Sequence, residues 1–480
     1  MKISVSLFLF LPLILISGCH LKTDCDKISG DIRSEFDAGN FLKASGLTDS
    51  LKKCCPDNLL FIREADSLLQ IADRISLDFS LTEDQFLSLL KNYTGAVTDS
   101  SLAAMEKKRW LEWRLINGEK RYFNRAASNL RLLKLFYEDK ERQLRNISQE
   151  PEMISRLEHT RDVVLESRLK SDPVIPANMI ITYTITVDPD VVPEGEIIRC
   201  WLPWPNMNHS RQQKRVLLTT SSSNFVVAPD SAIHSSIYME QASHKGIPAV
   251  FRISYQYQSS AQYFNLGKLQ VMPYDKNSAL YKKYTGEQLP HFCFTDKVRN
   301  LADSITAPAD DPVSIVRKIY LWFKEYIPWT GALEYSVMPN IPEYVCRNRR
   351  GDCGMQTFLF MSMLRYKGIP VRWQSGWKVP PDHKNLHDWC EVYYEGVGWV
   401  PTDISYDLQY SDDKTLKEFF ISGIDSYRLI VNDGVAGPLY PEKKFLRSEP
   451  YDFQRGEVEW KGGNLYFDKW NYEMNIEYLK

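Results

Sequence analysis

The chain has 480 residues, 44% hydrophobic and 25% charged, a balance that excludes long disorder and a length that calls for two or three domains. Its formal net charge of −2, with no dense Lys/Arg block, excludes the electrostatic footprint of a nucleic-acid binder. Peptides, glycans or small molecules are the expected partners.

Lys2 precedes an apolar run from Val5 to Ile16, too short to span a bilayer comfortably and ordered like a secretory signal. The last residue of that run and the next three, Ile16-Ser17-Gly18-Cys19, resemble the lipobox of bacterial lipoproteins. That resemblance implies a signal peptide over 1–18, cleavage before Cys19 and acylation of Cys19. Several acyl chains at one site would hold the protein to a membrane of the bacterial cell envelope. Besides Cys19 and Cys353 the chain has Cys25, Cys54, Cys55, Cys200, Cys293, Cys346 and Cys390. None forms a C-x-x-C zinc pattern, and no metal or cofactor is expected. Most read as small buried hydrophobes, and a disulfide from Cys25 to Cys54 or Cys55 suits an exported chain.

Residues 19–171 are rich in Leu, Lys, Glu, Arg and Ala and poor in proline, the composition of a helical domain. Leu87, Leu89, Leu90 and Tyr93 follow a start at which Thr82 or Ser80 can cap. The pattern around Trp110, Trp113 and Leu115, then Leu130, Leu133 and Phe136, suggests further packed helices. The period changes at Asp172-Pro173. Ile181, Tyr183, Ile185 and Val187, and later Phe251, Ile253, Tyr255 and Tyr257, alternate with polar residues as half-buried strands do. A β-sandwich over 172–290 is the simplest reading.

Chemistry enters after Pro312, in a mixed α+β core placed at 291–435. Val316 to Tyr326 reads as an amphipathic helix, and Arg350-Gly351-Asp352-Cys353-Gly354 opens an apolar helix closed by Gly368 and Pro370. A cysteine at a helix start meets unpaired N–H groups and the positive dipole end, so a lowered thiol pKa is expected at Cys353. His387 lies in a period-2 strand, His387 to Tyr393, and Glu395-Gly396-Val397-Gly398 turns the chain into Trp399-Val400-Pro401-Thr402-Asp403. A hairpin centred near residue 395 makes His387 and Asp403 cross-strand neighbours, so Asp403 can hold the imidazole. Cys346 reads as structural, and Trp322 and Trp329 as walls of an acyl site or as core. A C-terminal β extension over 436–480 carries a turn at Gly462-Gly463 and an alternating strand through Tyr472, Met474, Ile476 and Tyr478.

Gly351-Asp352-Cys353, Gly368-Ile369-Pro370-Val371-Arg372, Ser375-Gly376-Trp377, His387-x-Trp389-x-Glu391-Val392 and Gly398-Trp399-Val400-Pro401-Thr402-Asp403 together resemble the transglutaminase-like core. The resemblance covers roughly a fifth of the chain, residues 312 to 410. It implies a papain-like fold in which Cys353, His387 and Asp403 form a catalytic triad. The family often continues Asp-Pro-Thr, whereas Asp403 is followed by Ile404-Ser405. The implied chemistry is a Cys353 thioester with a peptide or protein amide. Water as acceptor gives a cysteine peptidase or amidase, and an amine gives a transglutaminase. The rival class is an inactive envelope module that binds a peptide or protein in the same cleft.

Overall fold

A computed structural model describes residues 17–94, 98–138, 150–167 and 172–479. The apolar run of the expected signal and the side chain of Cys19 lie outside the described residues. Helices and antiparallel sheets mix throughout, with helices concentrated toward the N-terminus. The chain separates into two compact units, Met1–Ala127 and Ser128–Lys480. The divisions read at 172, 291 and 436 all fall inside the second unit.

The first unit packs helices Ser17–Asp37, Phe41–Cys54 and Leu59–Asp78 around Ile32, Ala44, Leu51 and Ala65. A disulfide joins Cys25 to Cys55, while Cys54 is free and exposed. Thr82 caps helix Glu83–Thr94: its hydroxyl accepts from Gln85 N, and the Gln85 carboxamide accepts from Thr82 N, a reciprocal box that satisfies two orphan donors. The helical expectation fails at Trp113 and Leu115. They lie in the strand Trp113–Ile116, paired with Glu119–Tyr122. Asn117 and Gly118, at φ 51° and 83°, form the left-handed turn that such a hairpin needs.

Two five-stranded sheets form the sandwich of the second unit. Val174–Val187 lies between Ala249–Tyr263 and the C-terminal strand Trp470–Leu479, and Ile197–Pro203 lies between Ser236–Ala242 and Glu457–Trp460. Ile181, Tyr183, Ile185, Phe251, Ile253 and Tyr255 fill the space between the sheets. The last strands of the chain therefore complete both sheets of the sandwich.

Against this frame stands a four-stranded antiparallel sheet in the order Gly398–Thr402, Asn385–Tyr394, Val371–Lys378, Arg428–Asn432. Helix Cys353–Tyr366 packs on it and is buried at every position from Gly354 to Arg365. A helix apolar on all sides belongs in a core. Helix Pro312–Tyr326, capped by Asp311, covers it further.

Candidate functional site

Asp352 caps the helix that Cys353 opens. Its Oδ1 accepts from Met355 N at 3.0 Å and from the Tyr335 hydroxyl at 2.7 Å. Gly354 follows because nothing larger fits: a Cβ there would stand 2.1 Å from the Tyr335 hydroxyl and 2.7 Å from Asp388 Oδ2. At the other end Gly368, at φ 75°, takes the left-handed conformation that ends a helix.

The hairpin carrying His387 and Asp403 differs in register from the expectation. Tyr394 pairs with Gly398 and Cys390 with Thr402, so the turn centres on Gly396, one residue later than read. The loop holds three residues, with Gly396 at φ 81°, and the pairing ends at Thr402, which leaves Asp403 just beyond the paired strand. His387 and Asp403 thus meet diagonally rather than directly. They still meet: His387 Nε2 lies 2.7 Å from Asp403 Oδ2.

Asp403 is wholly buried and held from three sides. Arg428 Nη1 donates to its Oδ2 at 2.7 Å, and Ser405 donates to its Oδ1 through Oγ at 2.9 Å and N at 3.2 Å. Ser405 thereby serves the carboxylate at the place where the chain departs from the Asp-Pro-Thr pattern. Burial opposes ionisation of Asp403, but His387 and Arg428 outweigh it and hold the carboxyl well below the usual range. Arg428 also bonds Asp425 at 2.7 and 3.0 Å, and its charge holds Asp425 at about 2 against burial. Burial lowers His387, partly offset by Asp403.

Cys353 and His387 line one cavity of about 580 Å³. Helix Pro151–Glu166 contributes Met153, Arg156 and Leu157 to its wall, opposite Tyr406 and Leu408. Arg156 lies over the Tyr406 ring at 4.4 Å, and His159 Nε2 accepts from Ser426 N. That helix, read as part of a helical domain ending at 171, is a wall of the cleft. Trp329 also lines the cavity, next to Gly351, whereas Trp322 packs on Phe323 and Tyr326 away from it. Cys346 is a free, buried thiol pushed up to about 12, chiefly by burial. Among the described residues no His/Cys/Asp/Glu group is arranged to hold a metal ion.

The surroundings of Cys353 act against the lowering expected at a helix start. Burial first, then Asp388 and Asp352, push the Cys353 thiol well above its ordinary value. The sulfur donates to Asp388 Oδ2 at 3.2 Å, so nearby carboxyls oppose the helix dipole. Asp388 and Arg428 carry no motif that marks them in the sequence. A signal for Asp388 existed: Cys390 and Val392 face the core against helix Cys353–Tyr366, and period 2 puts Asp388 on that same face.

Residues 299–404 match the model of the transglutaminase-like superfamily, a segment that encloses Cys353, His387 and Asp403. A solved protein of Cytophaga hutchinsonii, described as a candidate cysteine protease, is 13% identical over 64% of this chain and 91% of its own, with a TM-score of 0.43. The periplasmic domain of TgpA from Pseudomonas aeruginosa is 14% identical over 52% of this chain and 91% of its own, with a TM-score of 0.24. No curated protein sequence matches the chain.

Proposed function

We propose that this chain, which carries a transglutaminase-like domain at residues 299–404, is a thiol enzyme that takes the acyl group of a peptide or protein amide onto Cys353 and passes it to water. The observation that carries this reading is the 2.7 Å contact of His387 Nε2 with Asp403 Oδ2, on a histidine that shares one cavity with Cys353.

A raised thiol and a lowered imidazole make the resting pair neutral at pH 7. Attack then runs by general base catalysis: His387 accepts the Sγ proton as sulfur adds to the carbonyl carbon. The imidazolium that results sits against Asp403, kept ionised by Arg428. The positive helix start at Cys353 favours the developing oxyanion. Collapse of the adduct expels the amine, protonated by His387, and leaves a thioester. Water, activated by the same imidazole, releases the acid and the thiol. An amine in place of water would make the product an amide.

Digestion of a defined peptide mixture, read by mass spectrometry, tests this. Cleavage should be lost in Cys353→Ser, and added glycine ethyl ester should leave the product a free acid. Unchanged cleavage in Cys353→Ser would overturn the reading. The Ile16–Cys19 sequence supports envelope anchoring through Cys19, and among the described residues no helix is long and apolar enough to cross a membrane. Cys19→Ala should release the exported protein from membranes, and unchanged partitioning with no acyl mass at the mature N-terminus would contradict that anchor.

A further inference from the structure

The nucleophile's own hydrogen bond does not go to its base. Cys353 Sγ donates to Asp388 Oδ2 at 3.2 Å, and among the described residues no hydrogen bond joins it to His387. Asp388 is 2% exposed, and no Lys or Arg pairs with it among the described residues. Its Oδ1 accepts from Gln454 Nε2 at 2.9 Å, and the same amide nitrogen holds the carbonyls of Gly376 and His387 at 3.1 and 3.0 Å. The carboxyl is therefore fixed from behind by the segment that returns after the core. That segment also brings Asp452 against it, and Asp452 Oδ1 is itself held by Asn432 Nδ2 and Phe453 N, each at 2.8 Å.

We propose that Asp388 is a positioning residue that holds the Cys353 sulfur as S–H, turned from His387, so that the resting enzyme keeps a thiol rather than a thiolate. The inference rests on Cys353 being the nucleophile.

The groups facing this pair are mostly acids. Asp352 and Tyr335 approach from the helix start and the short turn before it, Asp452 and Gln454 from the C-terminal segment, and His387 adjoins Asp388 on its own strand. Arg447 acts on Asp452 from behind. Burial, then Asp452 and Asp352, push Asp388 well above the usual carboxylate range. Asp388 Oδ2 accepts from the thiol, and Asp388 and Asp352 both disfavour negative charge on the sulfur. Ionising the thiol then places negative charge in a buried acidic cluster, and the cost falls only when His387 takes the proton beside a bound carbonyl. The consequence suits an exported thiol. The thiolate is the form that oxidants and alkylators attack, and this arrangement withholds it until substrate arrives.

The test is the pH dependence of Cys353 alkylation by iodoacetamide in the full chain, followed by peptide mapping. Asp388→Asn should move the alkylation midpoint to lower pH and raise the pH 7 rate at least tenfold, a factor that corresponds to one pH unit. It should also raise the rate of peroxide oxidation at Cys353. An unmoved midpoint in a folded Asp388→Asn chain would overturn the proposal, while Cys353-dependent peptide cleavage would still stand. If that variant does not fold, the wild-type chain decides: with 13Cβ-labelled cysteine and Cys353→Ser to assign the signal, Cys353 should be a thiol at pH 8. A thiolate there at pH 7 would refute the role.

Discussion

Arg428 Nη1 lies 2.7 Å from Asp403 Oδ2, the oxygen that also meets His387 Nε2. Arg428 has no exposed side-chain surface, and its other nitrogens hold Asp425. Arg428→Met leaves two buried carboxylates without their cation, a change that typically costs about 3–5 kcal/mol. Urea unfolding of the variant should show that loss. Arg428→Lys should recover only part of it, because an ammonium cannot reproduce the planar fork.

Acid should unfold the second unit in a defined window. Glu391, held at about 2 chiefly by Arg372 against burial, Asp425 at about 2 and Asp403, held lower still, all bind protons more weakly folded than unfolded. Their stabilisation is complete above the unfolded carboxylate range and lost as pH falls from about 4.5 toward 2. Stability by urea titration should drop steeply from pH 5 to pH 3. A flat profile there would show that these ion pairs do not hold the fold.

Gly354→Ala should be poorly tolerated despite its small size. The added carbon would stand 2.1 Å from the Tyr335 hydroxyl and 2.7 Å from Asp388 Oδ2. Tyr335 is tied to Asp352, so it cannot retreat without giving up that bond. A stability loss of about 1–3 kcal/mol is expected from such overpacking. Thermal unfolding measures it, and Gly30→Ala, where a Cβ meets nothing within 4 Å, serves as the control.

How far the sequence revealed this molecule depended on the kind of signal. Ile181, Tyr183 and Ile185 show their buried face by simple alternation, and they fill the sandwich. The apolar run after Cys353 gives its helix for the same reason, since core packing dictates residue type. Trp113 and Leu115 misled because two apolar residues fit either period, and the Asn117-Gly118 turn was the better guide. Arg428 left no trace in spacing: it lies on the edge strand opposite the one that leads to Asp403, and the two meet only in the folded sheet. The thiol's direction was missed because helix-dipole reasoning sees the backbone, whereas Asp388 and Asp352 act through side chains brought together only by folding.

The disulfide between Cys25 and Cys55, 30 residues apart in sequence, should stabilise the first unit by about 3–4 kcal/mol through loop closure. Cys25→Ser should make that unit markedly easier to cleave by trypsin, while Cys54→Ser should leave its cleavage unchanged.

Covalent capture of Cys353 by a peptidyl acyloxymethyl ketone at pH 7, followed by intact mass and peptide mapping, tests directly whether Cys353 and His387 act as nucleophile and base. Such a probe carries its own electrophilic carbonyl into the cleft and needs His387 to take the thiol proton as sulfur attacks. One adduct is expected, on Cys353, forming far faster than on the exposed Cys54 and slowed at least a hundredfold by His387→Asn, in keeping with the usual worth of a general base. Labelling of Cys353 no faster than Cys54, with no effect of His387→Asn, would contradict it.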